Sequence, residues 1–336
     1  MATFKWKVQQ IPTKGDTTTG SYLISLPKIW CEDNDISKGS EIELEEIGSS
    51  RILLSKADAS KISQKRKSIT IRYEKILGAN SRTPRAVLGA YLEGFEIINI
   101  VKIPDNSKEK LAIRKLIRRL MKKLYGSRII ELKGSVRIEI STELTSPDVL
   151  LETIFNKVNM MFQNAILAYT EDDQDLAEDL IELDDEVDAL YFQIVRGLKI
   201  LLGDPLEAIK ADSSFELIDT LDYRMIASIL ENLGDSAERI AAVIQADPNQ
   251  LDDSDKAVLL SISNQVSKLL ENSFRYFMTK DSTNTMNNIV ETMTVREAIK
   301  ELFHTNVDKE IIKILENATD NVIDIGELVR AEFVIE

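Results

Sequence analysis

The sequence predicts a multidomain α+β protein with a β-rich N-terminal segment, a small basic α/β segment and an all-α C-terminal half built as a pair of three-helix bundles. Three observations predict it. Residues 4–57 carry short runs in which apolar and polar residues alternate, the pattern of half-buried strands. From Asp148 onward apolar residues return at the helical period of about 3.6. Within that helical half Leu230–Ile244, LENLGDSAERIAAVI, recurs as Leu315–Val329, LENATDNVIDIGELV, with Leu, Glu, Asn, Asp and Ile identical in the ungapped alignment. A repeat of this kind marks a duplicated structural unit. The expected domains are 1–57, 58–146 and 147–336, the last in two repeats of about 147–246 and 250–336.

Composition excludes several classes. No apolar run approaches the ~18 residues of a membrane span, and the start, Met1 to Lys7, has no signal-peptide stretch. One cysteine, Cys31, rules out an intrachain disulfide framework and fits a reducing cytoplasm, where the chain is expected. With one histidine, His304, an ordinary zinc finger is excluded, so any metal would be held mainly by carboxylates. The net charge of −14 is unevenly spread. Residues 58–137 hold twenty Lys and Arg against seven Asp and Glu, a surplus of thirteen positive charges that leaves about −27 on the remainder.

In chain order, Phe4, Trp6 and Val8 alternate with polar residues as a first strand. Thr13–Ser21 reads as a Gly/Thr/Ser-rich turn and Tyr22–Leu26 as a second strand. Pro27 opens a short helix, since a missing N–H costs nothing at a first helical position. Ile42–Ile47 and Arg51–Ser55 complete the strands. KVQQ, SYLISLPKIW and DISKGSEIEL together resemble the SpoVT/AbrB-type swapped-hairpin domain. That resemblance implies a β-barrel interleaved from two chains, hence a homodimer, and a DNA contact through Lys5, Lys7, Lys14 and Lys28. A dimerisation module without DNA binding is the alternative, because Glu41, Glu43, Glu45 and Glu46 make the second hairpin acidic.

The basic segment reads as strands at Ile69–Tyr73 and Phe95–Lys102 around a helix at Pro84–Glu93. A helix at Lys108–Leu124 follows, closed by Gly126, and then a hairpin of Arg128–Leu132 and Val136–Ile140. The 108–124 helix has an apolar stripe and an opposite face with Arg114, Lys115, Arg118, Arg119, Lys122 and Lys123. Arg114, Arg118 and Lys122 are candidate phosphate-backbone contacts. A solvated face, or one docked on the acidic C-terminal half, is the competing reading.

The expected helices of the C-terminal half are 148–170, 173–202, 213–246, 252–280, 283–303 and 307–331. Glu231 and Asp235 lie opposite the apolar stripe of their helix and adjacent to each other, as side chains four residues apart do. Glu316 and Asp320 repeat the pair, and Asp184, Asp185 and Asp188 share one face of the preceding helix. These seven carboxylates are the candidate metal ligands, with a solvated acidic face as the plainer alternative. Aligning Tyr169–Asp188 with Met278–Glu297 sets Asp184, Asp185 and Asp188 on Met293, Thr294 and Glu297, so the second repeat lacks a full partner cluster. Asp185/Asp188 and the LENLGD of Glu231/Asp235 resemble the D-x-x-D and LERIGD helices of the PhoU family, with Asn232 at the usual Arg. The resemblance implies a regulator of phosphate uptake that is not an enzyme and that takes metal ions such as iron, manganese, zinc or magnesium at these carboxylates. Joined to the N-terminal resemblance it implies an architecture found mainly in archaea. A regulator that docks on a phosphate transporter or its signalling kinase without touching DNA is the second expectation. A carboxylate-bridged metalloenzyme is the third, and Glu301-Leu302-Phe303-His304 gives a single Glu-x-x-His with no matching copy.

Overall fold

The computed structural model describes residues 7–13, 16–47, 51–56, 66–74, 82–104, 107–203, 218–246 and 251–329. The chain divides into two compact units, Met1–Lys65 and Arg66–Glu336.

The first unit is two antiparallel hairpins and one helical turn pair. Strands β1 (Gln9–Thr13) and β2 (Asp16–Leu23) form one hairpin, and β3 (Ile42–Ile47) and β4 (Arg51–Lys56) the other. Between them lies helix α1 (Lys28–Asp33), capped by Pro27. Of the strand expected over Phe4, Trp6 and Val8, Phe4 and Trp6 lie outside the described residues, and the first described strand is Gln9–Thr13. The Thr-rich stretch expected as a turn at Thr13–Ser21 is instead most of β2. Thr17, Thr18 and Thr19 are β-branched and favour the extended backbone over a turn.

The second unit opens with a four-stranded sheet in the order β5 (Ser68–Arg72), β6 (Ile97–Val101), β8 (Ser135–Ile140), β7 (Ser127–Leu132). β5 and β6 are parallel and joined through helix α2 (Arg82–Leu92), and the other pairings are antiparallel. One face of the sheet presents Ile98, Ile100, Val136, Ile138 and Ile140 to α2 and to the basic helix α3 (Ser107–Lys123). The other face is polar: Arg128 and Arg66 meet Glu139, and Arg137 donates to Asn99. This in/out alternation is what an antiparallel sheet solvated on one side requires. Gly94, at φ +79°, ends α2 where the Phe95 amide reaches back to Ala90 O and the Gly94 amide to Tyr91 O, a left-handed cap that favours glycine.

The helices that follow run α4 (Pro147–Glu171), α5 (Gln174–Gly203) and α6 (Asp219–Ala246), then α7 (Asp253–Thr279), α8 (Ser282–Glu301) and α9 (Lys309–Glu327). Each trio forms a three-helix half, and α4 against α7 and α6 against α9 join the halves around one continuous core. At the seam Phe155 stacks on Phe274 with ring centroids 4.1 Å apart, and Ser267 bonds both Asn159 and Gln163. The sheet layer sits on α5: buried Arg196 donates to Tyr91 O (2.5 Å) and Phe95 O (3.0 Å), and Lys199 pairs with Glu93.

Candidate functional site

The first copy of the repeated carboxylate pair, Glu231 and Asp235, lies on α6 where it meets α5. Ala177, Leu180, Val187 and Ile194 bury the inner stripe of α5, which turns Asp184 and Asp188 to the flank of the packing. Gly234 of α6 lies against Val187, and a Cβ there would come within 3.1 Å of its Cγ1. That close approach brings Asp184 and Asp188 into the field of Glu231, Asp235 and Glu238.

Concentrated like charge in a half-buried place disfavours ionisation. Burial, then the charges of Glu238, Asp188 and Asp235, push Asp184 up to about 7, with Lys123 pulling the other way. Burial and then Asp235 and Asp188 raise Glu231, opposed by Arg224 and Lys123. Burial and then Asp188 raise Asp235, opposed by Arg239 and Lys123.

The cation common to all three is Lys123, the last residue of α3. Its ammonium bonds Asp188, whose side chain is 14% exposed, and lies 3.6 Å from Asp185. Lys122 donates to Asp185 at 3.0 Å. Burial alone would lower Lys123, but its bond to Asp188 and the charges of Asp188, Asp185 and Asp184 leave it raised. Among the described residues no group of three or more His, Cys, Asp or Glu side chains is placed to hold a metal ion. As arranged, Asp185 and Asp188 are engaged by the two lysine ammonium groups.

The second half differs by more than erosion. The turn between α4 and α5 has Asp172 in the left-handed region and Asp173 accepting from the Leu176 amide. The turn between α7 and α8 repeats this with Lys280 and Asp281, which accepts from the Asn284 amide. The turns therefore correspond at a shift of 108 residues (172 to 280), one fewer than the sequence alignment used. Asp184, Asp185 and Asp188 correspond to Thr292, Met293 and Arg296, not to Met293, Thr294 and Glu297. Arg296 holds Asp320 at 2.6 Å, and Asp320 is the repeat's equivalent of Asp235. The other repeated acid, Glu316, is half-buried on α9. Asn232 and its repeat Asn317 line a different feature, an open polar groove of about 490 Å³ between α6 and α9, together with Arg239, Asp320 and Asp324.

Of the candidate DNA contacts, Lys7 and Lys28 are exposed, with Lys28 3.5 Å from Glu32, while Lys5 and Lys14 lie outside the described residues. Arg114 forks onto Glu131 at 2.7 Å, and Arg118 is exposed nearby. His304 is exposed on a single 3-10 turn. Sequence reasoning placed Lys123 on the basic face, whose competing reading was docking on the acidic C-terminal half, without pairing it to Asp188, and it missed Arg296 altogether. The adjacency of Lys122 and Lys123 at the end of a basic helix was the available signal for the first. For the second, the two acidic caps Asp173 and Asp281 would have corrected the alignment.

No helix among the described residues is long and apolar enough to cross a membrane. No curated protein matches the chain. A crystal structure of PhoU from Pseudomonas aeruginosa aligns with 55% of this chain and 93% of its own, at 16% identity and a TM-score of 0.41. Residues 151–244, which run from α4 into the end of α6 and contain Asp184, Asp185, Asp188, Glu231 and Asp235, match the family model of the PhoU domain.

Proposed function

We propose that this chain is a homodimeric regulator of phosphate uptake that contacts DNA through its first unit, with the helical half as the sensing or partner-docking body. The observation that carries the reading is the PhoU-domain match over 151–244, coincident with the three-helix half whose carboxylate pair is duplicated. Dimerisation through the first unit is supported by Tyr22, Ile24, Ile29, Leu44 and Ile52, all more than half exposed on or beside its two hairpins. Pairing of these side chains between two copies would take them out of water. Exposed Lys7 and Lys28 supply positive charge on the same unit.

The test is a gel shift of the full-length chain on its own promoter fragment at two salt concentrations. Binding at low salt that falls steeply with added salt, and that weakens in Lys7→Ala/Lys28→Ala, is the expected result, because counterion release scales with phosphate contacts. A dimeric chain that shifts no DNA at low salt overturns the DNA contact.

One observation favours the second reading, a regulator that docks on a phosphate transporter or its signalling kinase. Arg114, Lys122 and Lys123 are already engaged by Glu131, Asp185 and Asp188, which removes charge from the α3 face that a polyanion would need.

A further inference from the structure

We propose that the cavity between the sheet layer and α5 is a binding site for a small organic monocarboxylate with an apolar body. The inference concerns this cavity alone and stands whether or not the chain contacts DNA.

The cavity measures about 600 Å³, within the range of small-molecule sites. One wall is α5 and another is the connection from β8 to α4. Three features of its lining carry the inference.

The first is a guanidinium. Arg196 lines the cavity and is 4% exposed. Burial pulls its pKa down, opposed by Tyr91 and Glu96. Glu96, the acid in its field, is paired with Arg66. The bonds from Arg196 to Tyr91 O and Phe95 O both leave from Nη1. Those carbonyls fix the side chain without cancelling its charge, and a buried charge is costly until it is paired. Of the five guanidinium N–H donors, those on Nε and Nη2 form no bond to a described residue. That edge is the one with which Arg114 and Arg128 fork onto Glu131 and Glu139 elsewhere in the chain. It matches the two oxygens of a carboxylate.

The second is Gly197, one residue on and also on the lining. It lies in the interior of α5, where glycine weakens a helix relative to alanine. A Cβ there would meet nothing within 4 Å. Close packing therefore does not call for glycine at this position, and what its missing side chain keeps clear is the cavity.

The third is the division of the remaining surface. Ile140, Leu144 and Leu150 are buried or half-buried and give an apolar side. Gln193 donates to Thr145 at 3.4 Å, a long bond that a ligand oxygen can replace. Glu143 is the acid on this lining and is exposed. Water screens it more than it screens Arg196, so the arginine sets the field inside, while the acid disfavours a polyanion. One carboxylate head on an apolar body suits all three features.

Ligand-detected saturation-transfer NMR on the full-length chain tests this, with naphthoate as the probe. Naphthylmethanol is its neutral counterpart and acetate its bare head. Naphthoate should bind wild type, and naphthylmethanol should bind more weakly by on the order of 10–100-fold, the worth of a hydrogen bond to a charged group. Acetate at equal concentration should not displace naphthoate. Arg196→Met should bring naphthoate down to the level of the alcohol. Gly197→Phe plugs the cavity and keeps the arginine, and should abolish binding. No naphthoate signal from wild type overturns the proposal, as does binding that a folded Gly197→Phe leaves unchanged. Equal affinity for acid and alcohol overturns the carboxylate head, and displacement by acetate overturns the apolar body. Amide shift changes at Gly126 and Gly197 of wild type should locate the ligand even if a variant misfolds, and naphthoate shifts confined to other residues overturn the site.

Discussion

In the first three-helix half, Asp188 stands close enough to Asp235 to raise it, opposed by Arg239 of α6 and then by Lys123, which comes from a helix outside the bundle and bonds Asp188 itself. In the second half, the same two positions are Arg296 and Asp320, and the ion pair closes within the bundle. The difference teaches what the acidic helix is for. A duplicated scaffold needs some cation beside its repeated aspartate. The second half has that cation one helix away, at Arg296, whereas the first half has Asp188 there and draws part of its counter-charge, Lys123, from the α/β layer. The counter-charge of the first half thus depends in part on the docking of α3, and that of the second does not.

The comparison assumes that both halves share one core, and the largest effect tests that. Phe155→Ala removes half of the Phe155–Phe274 stack at the seam. It should cost about 3–5 kcal/mol in urea unfolding and lower both halves in one transition. Two separated transitions would break the shared-core description.

A smaller effect separates the two cations. Lys123→Met leaves Asp188 enclosed without its partner, a change that costs about 3–5 kcal/mol in a fully buried pair. With Lys123 35% exposed, screening brings the expectation to about 1–2 kcal/mol. Arg296→Met breaks a pair whose members are 38% and 47% exposed, and should cost about 0.2–1 kcal/mol. Equal losses in chemical denaturation would erase the distinction between an imported and an internal counter-charge.

An effect of similar size is expected in pH. The carboxyl of Asp184 is raised in the folded chain from 3.8 to about 7, so the folded chain takes up this proton at higher pH than the unfolded chain. Stability therefore falls as pH rises from about 4 to about 7, by on the order of 1 kcal/mol after allowance for partial exposure. Asp184→Asn should flatten that window. The second half has Thr292 at the corresponding position and no such contribution. A wild-type profile identical to that of Asp184→Asn would remove the electrostatic contrast between the halves.

Much of the helical architecture was legible because the apolar stripes are long and regular. The helices expected at 148–170, 173–202 and 252–280 formed at Pro147–Glu171, Gln174–Gly203 and Asp253–Thr279. The strands and helices of the basic segment were likewise readable from alternation and from the turn glycine Gly126. The first hairpin was not, since its polar threonines imitate a turn in composition while preferring a strand in backbone. The site was legible as a set of acids but not as a site. A periodic pattern says which face of a helix an aspartate occupies, and it is silent on what a helix sixty residues earlier lays upon that face. Lys122–Asp185 and Lys123–Asp188 span 63 and 65 residues. The register of the repeat was equally hidden, because a shift of one residue along an amphipathic helix preserves most apolar matches and only the caps fix it.

The bonds from Arg196 to the carbonyls of Tyr91 and Phe95 span 105 and 101 residues of chain. During synthesis at roughly 5–20 residues per second, the end of α2 waits on the order of ten seconds for the arginine that satisfies it. Until then Tyr91 O has only the Gly94 amide and Phe95 O lacks the guanidinium. The sheet layer is thus made early and finished late, and a nascent chain arrested before α5 carries a layer whose docking edge is complete in sequence but still lacks its arginine.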